Sequence, residues 1–102
     1  MATVAELAAR IGRALAEGPG VDASIRLDLK GEGIIHVAGS VVSLEDAPAD
    51  LTVSVSRADL EALGRGQLDP VRAMMSGRLR LSDMALAMKL QPQIQALFAK
   101  AV

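Results

Sequence analysis

The sequence predicts an α+β domain, on three observations. Apolar residues recur at helical spacing near the N-terminus and then switch to alternation in four short runs between residues 23 and 55. Helical spacing returns afterwards and is broken once more by alternation at residues 78–81. Turn-forming and helix-capping residues stand at nearly every switch, giving the order helix, four strands, two helices, one strand, two helices. A chain of 102 residues matches one ordinary domain, so a single unit over residues 1–102 is expected.

Thr3-Val4-Ala5-Glu6 has the form of a capping box, a hydroxyl three residues ahead of a reciprocating carboxylate. Val4, Leu7, Ala8, Ile11 and Leu15 then mark the buried face of an amphipathic helix, which Gly18-Pro19-Gly20 ends. From Ala23, Ile25, Leu27 and Leu29 alternate with Arg26, Asp28 and Lys30, as in a strand with one face wet. Gly31-Glu32-Gly33 is a turn, Ile34 to Ala38 a second strand, Gly39-Ser40 a two-residue hairpin turn and Val41 to Leu44 a third strand. A polar loop, Glu45 to Asp50, leads to a fourth strand with Leu51, Val53 and Val55 on one face. Ser56 caps a short helix, Arg57 to Leu63, that Gly64 and Gly66 end. Asp69-Pro70, a cap followed by proline at the first helical position, opens another helix reaching about Ser76. Arg78 to Leu81 is the fifth strand. Ser82 or Asp83 caps a helix from Met84 to Leu90, and Gln91-Pro92 restarts a final one whose Ile94, Leu97 and Phe98 share a face.

Composition excludes several functions. The chain is 51% apolar and 23% charged, in the range of globular proteins, and its apolar runs fall far short of the roughly 20 residues that span a bilayer. The first residues, with an early Glu6, carry no signal-peptide pattern, so a cytoplasmic protein is expected. No cysteine means no disulfide, thiolate metal site or cysteine nucleophile. A net charge of −1 and a single aromatic, Phe98, offer nucleic acid neither a cationic field nor a stacking platform. His36 sits mid-strand with no partner at a catalytic spacing and reads as a strand histidine on the less buried face. Glu45, Asp46 and Asp50 lack the spacing and glycine hinge of a calcium loop and read as solvated charge. Arg78 and Arg80 read as a wet strand face and Asp83 as a helix cap, so neither a metal, a cofactor nor a catalytic residue is expected.

The apolar residues say more. Met74, Met75, Met84 and Met88 flank the fifth strand, and methionine, unbranched and polarizable, suits walls that repack around varied apolar ligands. Taken alone, such a stripe is more often ordinary core.

The order of motifs adds a resemblance. Leu27-Asp28-Leu29 runs into the Gly31 to Gly33 turn. Pro48-Ala49-Asp50-Leu51-Thr52-Val53-Ser54-Val55-Ser56 is followed by Asp59-Leu60 and Leu63. Gly66-Gln67-Leu68-Asp69-Pro70 and Met75-Ser76-Gly77-Arg78-Leu79-Arg80-Leu81 come next, then Asp83-Met84-Ala85-Leu86-Ala87-Met88-Lys89-Leu90. In sequence and spacing, over nearly the whole chain, these resemble the sterol carrier protein 2 (SCP2) family of small lipid-binding domains. Two features depart from the family pattern. Only Ser82 stands where the family usually has an extra residue and a glycine before the aspartate, and Ala99-Lys100-Ala101-Val102 is not a peroxisomal address of the Ser-Lys-Leu type, so a bacterial-type cytosolic member is expected.

The resemblance implies an SCP2-like, five-stranded, largely antiparallel sheet with helices packed on one face, enclosing an apolar tunnel. Carried over, the lipid-binding wall comprises Leu27, Leu29, Val53, Val55, Met75, Met84, Leu86 and Met88. Leu79 and Leu81 join it as the inward side of the fifth strand, and Ile94, Leu97 and Phe98 because an amphipathic terminal helix must bury that face. The implied function is noncatalytic binding and transfer of hydrophobic ligands such as fatty acids, acyl-CoA or sterol-like lipids. The alternative is an accessory module presenting a hydrophobic intermediate, such as an isoprenoid quinone precursor, to partner enzymes. A transient membrane-surface or protein partner is compatible with either, and the sequence leaves the oligomeric state open.

Overall fold

The computed structural model describes residues 3–18 and 20–101. Nine elements follow in the order α1 (Val4–Glu17), β1 (Ile25–Asp28), β2 (Ile34–Ala38), β3 (Val41–Ser43), β4 (Leu51–Val55), α2 (Arg57–Gly64), α3 (Pro70–Met75), β5 (Leu79–Leu81) and α4 (Met84–Ala101). The strands form one sheet in the order β3-β2-β1-β4-β5, with β1 and β4 parallel and the other three pairs antiparallel. The architecture is α+β, with the helices layered on the sheet.

The alternation read from the sequence sets the two faces. Ile25, Leu27, Leu29, Ile35, Val37, Leu51, Val53 and Val55 are all at most 3% exposed and meet the helices, whereas Arg26, Asp28, His36, Thr52 and Ser54 point the other way. Register brings like to like across the sheet: Leu27 pairs with Ile35 on one side and Val53 on the other, and Val53 pairs with Leu81. Above this floor, α1 packs along α4 and over β2 and β3, α4 packs on α2, and α3 lies against β5. Buried Leu7, Ile11, Leu60, Leu63, Leu90 and Phe98 close the core from the helix side.

The caps hold the entrances. The Thr3 hydroxyl accepts the Glu6 N–H at 3.1 Å while the Glu6 carboxylate accepts the Thr3 N–H at 3.2 Å, so both halves of the capping box form. These bonds hold the Glu6 carboxyl below its ordinary range. Ser56 accepts from the Asp59 N–H and Asp69 from the Val71 N–H, with Pro70 at the first position of α3. Asp83, not Ser82, caps α4, its carboxylate accepting the Leu86 N–H at 3.1 Å. Ser82 instead ties β5 to β4, its hydroxyl accepting the Thr52 N–H at 2.8 Å and its own N–H reaching the Thr52 carbonyl. One residue therefore finishes the strand and the next begins the helix, which is how the tight turn closes.

Three expectations are corrected or extended. Gly64 does not end α2; it is the last residue of the helix, and Gly66, with φ +74°, makes the turn after Arg65. Gly20 is not merely a helix stop, because at φ +80° it lies so close to the hairpin turn that a Cβ would meet the Gly39 carbonyl at 2.7 Å. The Val21 N–H bonds that same carbonyl. Pro19, expected to help stop α1, lies outside the described residues.

The third correction is the largest. The two C-terminal helices expected on either side of Gln91-Pro92 are one, α4, of 18 residues, with Pro92 inside it. Proline removes one rung of the hydrogen-bond ladder and crowds the carbonyl four residues earlier, that of Met88. The loss is outweighed because Ala87 and Leu90 before it and Phe98 and Ala101 after it are all buried on the same layer, while Pro92 faces solvent. Pro92→Ala is therefore expected to stabilise the protein by about 1–2 kcal/mol, less than the ~3 kcal/mol of the helix scale because the unfolded chain also gains freedom. A urea midpoint that falls in this variant would mean that the fold depends on the interrupted rung.

Candidate functional site

Between α4, α3 and the inward residues of β4 and β5 lies an apolar groove of about 230 Å³. Val53, Leu79 and Leu81 form its floor, Met74, Val71 and Pro70 of α3 one wall, Leu63 of α2 an end, and α4 the other wall. The α4 contribution is Met84, Ala87, Met88, Gln91, Ile94, Gln95 and Phe98, a stripe at three- and four-residue spacing that runs past Pro92 without interruption. The groove is open on the side of Met84 and Met88, which are 49% and 70% exposed. Its size falls just below the roughly 300–1,000 Å³ of small-molecule sites.

A narrow cleft of about 10 Å³ continues behind the groove toward α1, lined by Ile11, Ile25, Leu27, Val37, Ile94, Leu97 and Phe98. Ile94 and Phe98 belong to both spaces and form the partition between them. Polar atoms are few. Gln95 donates its amide N–H to the Leu63 carbonyl at 3.1 Å, which pins α4 to the end of α2 and leaves its amide oxygen as an acceptor. Gln91 is exposed at the rim.

The thirteen residues expected to form the wall divide by position. Val53, Leu79, Leu81, Met84, Met88, Ile94 and Phe98 meet in the groove, and Leu27 and Leu97 lie in the cleft behind it. Leu29 and Val55 are fully buried core residues that line neither space. Leu86 is half-buried against the core outside the lining, and Met75 is 83% exposed, with its neighbour Met74 occupying the wall instead. Sequence reading missed Leu63, Pro70, Val71, Ala87, Gln91 and Gln95. The signal for Gln91 and Gln95 was the α4 stripe, hidden by breaking the helix at Pro92.

The charged residues considered from the sequence lie elsewhere. Asp46 takes Arg26 in two hydrogen bonds, at 2.6 and 3.2 Å, on the open face of the sheet. The Arg26 hydrogen bond holds the Asp46 carboxyl below its ordinary range, and Asp46 in turn raises Arg26. Asp50 accepts the N–H and hydroxyl of Ser24, fixing the loop that enters β4. The His36 ring Nε2 lies 3.1 Å from the Pro48 carbonyl, on the face away from the groove. Among the described residues no three acidic or histidine side chains come together as a metal site, and no helix is long and apolar enough to cross a membrane.

A nearly all-apolar groove with a few polar atoms at its rim, set between one helix and a sheet, has the kind of lining that small-molecule sites use. The chain belongs to the SCP-2 sterol transfer family, whose family model matches residues 1–95. It is 38% identical over 77 residues to sterol carrier protein 2 of Oryctolagus cuniculus, a match covering 74% of this chain and 13% of that longer protein. Among solved structures it is similar to sterol carrier protein 2 like 2 from Aedes aegypti, with a TM-score of 0.70 and 28% identity over 85% of this chain and 92% of that one. The palmitated form of SCP2L2 from the same organism aligns with a TM-score of 0.60 and 27% identity, covering 91% of this chain and 95% of that chain.

Proposed function

We propose that this protein binds and transfers long-chain lipids, fatty acids foremost, in the groove beneath α4, without chemistry on its cargo. The observation that carries the reading is the lining itself: a groove of aliphatic and methionine side chains, set between a rigid sheet floor and a single helix, in a chain whose relative from Aedes aegypti is palmitated. Each methylene removed from water contributes about 0.8 kcal/mol, so 12 to 15 of them give roughly 10–12 kcal/mol. Association costs of about 4 kcal/mol leave 6–8 kcal/mol, a Kd on the order of 1–40 μM.

Burying that many methylenes takes more than the groove at its present volume. Ile94 and Phe98 partition it from a cleft of only about 10 Å³, so a long chain needs these side chains and α4 to move outward and open the space toward Leu27 and Leu97. Methionines at 74, 84 and 88 adapt the outer wall by changing rotamer, which makes selectivity among chain lengths loose. No acid, base or nucleophile is assigned to the process, and His36 has no part in it.

Displacement of a fluorescent fatty acid tests the reading. Palmitate is expected to compete at micromolar concentration, and a short acid with few methylenes to compete far more weakly. A parent protein that takes up no fluorescent fatty acid, or equal competition by short and long acids, would remove its basis.

A further inference from the structure

The oxidisable side chains of this protein are gathered at the groove. The sequence has no cysteine, tryptophan or tyrosine, which leaves the methionine thioethers as the groups a hydroperoxide attacks most readily. Four of the five methionines, Met74, Met75, Met84 and Met88, fall between residues 74 and 88. Access and position separate them. Met88 is 70% exposed and Met84 49%, and both line the groove on successive turns of α4. Met74 lines the facing wall but is half-buried, and Met75, 83% exposed, stands outside the lining. Among the described residues, only Met84 and Met88 combine wide exposure to a dissolved oxidant with a place where a cargo chain would lie.

We propose that Met84 and Met88 form a reversible oxidation site that lowers the affinity of the groove for apolar cargo. The proposal rests on the lipid-carrier reading and adds a control to it. The oxidant is a hydroperoxide. A lone pair of the thioether sulfur attacks one peroxide oxygen, the O–O bond breaks as the S–O bond forms, and with hydrogen peroxide the second oxygen leaves as hydroxide and is protonated to water. The sulfur loses two electrons and the peroxide gains them. The product is a sulfoxide, polar and chiral where the thioether was flexible and apolar. The groove floor, Val53, Leu79 and Leu81, has no side-chain donor to meet that dipole, and Gln95 already gives an amide N–H to the Leu63 carbonyl. Methylenes packed against a sulfoxide strip its water and return no hydrogen bond, which weakens binding about tenfold for each sulfoxide that cargo covers. Cargo lying over the two sulfurs shields them from oxidant in turn.

The test is treatment of the purified protein with hydrogen peroxide, followed by mass mapping of each methionine and by displacement of a fluorescent fatty acid before and after. Met75 and Met88 are expected to oxidise fastest, Met84 next and Met74 last, in the order of their exposure. Saturating palmitate is expected to slow oxidation of Met84 and Met88 and to leave that of Met75 as it was. Oxidation of both groove methionines is expected to weaken fatty-acid binding by about tenfold or more with the helical circular dichroism unchanged. Methionine sulfoxide reductases for the two sulfoxide epimers are expected to restore it. Met75→Leu keeps the whole effect. The double variant Met84→Leu, Met88→Leu, whatever its starting affinity, is expected to bind equally before and after peroxide. An equal loss in that double variant, a loss that accompanies melting of the helices, oxidation of Met84 and Met88 at the same rate with and without palmitate, or an affinity the reductases do not restore overturns the proposal. A parent that takes up no fluorescent fatty acid before treatment overturns the lipid-carrier reading and the proposal with it, whereas binding that survives oxidation of both methionines overturns the proposal alone.

Discussion

Leu79→Asp is expected to destabilise the protein by about 3 kcal/mol or more, while Arg80→Ser, one residue away, stays within about 0.5 kcal/mol of the parent. The two side chains leave the same three-residue strand in opposite directions. Leu79 is 7% exposed, pairs with buried Val55 of β4 and lines the apolar groove, so a carboxylate there loses its water with no cation in the lining to receive it. Arg80 points to the open side of the sheet and is exposed. Leu81→Asp is expected to fall between them, since Leu81 is only half-buried at the end of the strand. Chemical denaturation of the three variants checks the order, and equal tolerance at 79 and 80 would mean that β5 does not present alternate faces to core and water.

Met88→Trp is expected to abolish fatty-acid binding without lowering the melting temperature of the unliganded protein. In a filled core, an indole in place of a thioether forces neighbours off their rotamers and costs about 1–3 kcal/mol. At this position the ring borders an open apolar groove of about 230 Å³, and Met88 is itself 70% exposed, so the larger side chain removes apolar surface from water without strain. Met84→Phe, one turn away on the same wall, is expected to act in the same direction with a smaller loss of binding. A clear drop in melting temperature with binding retained would place Met88 in ordinary packing and the ligand elsewhere.

Much of the fold was legible because its signals are local. Thr3, Ser56 and Asp69 announce their helices through side chains that satisfy N–H groups two or three residues on, and the alternation in Ile25 to Leu29 and Leu51 to Val55 gives a strand and its buried face together. The errors come where a local rule met a long-range one. Pro92 is a helix breaker by its own chemistry, yet the burial of residues on both sides carries α4 through it. Breaking the helix there split the stripe that makes one wall of the groove, and so concealed Gln91 and Gln95.

The groove was legible in part for a related reason. Alternation tells which side chains of a strand face the helices, but not which of them lie under an open space. Leu29 and Val55 face inward and line no space, whereas Val53 and Leu81 face inward and form part of the groove floor. That difference is decided by where α4 and α3 cross the sheet, a tertiary fact with no trace in a strand's own sequence. Met74 and Met75 exchange roles for the same reason, because neighbouring residues on a six-residue helix point about 100° apart and their assignment depends on how α3 lies on β5.

A fatty acid bound by this protein is expected to lie in the groove under α4. Methionines are well placed to report it: Met74, Met84 and Met88 line the groove, and Met75 stands outside. The measurement is a methyl NMR titration of the protein labelled at its methionine methyl groups, with monomeric palmitate and no vesicles present. The resonances of Met74, Met84 and Met88 are expected to shift together and to saturate with a single micromolar Kd, while that of Met75 stays in place. Saturable palmitate binding that leaves those three unmoved, or that moves Met75 in their stead, would place the ligand outside the groove.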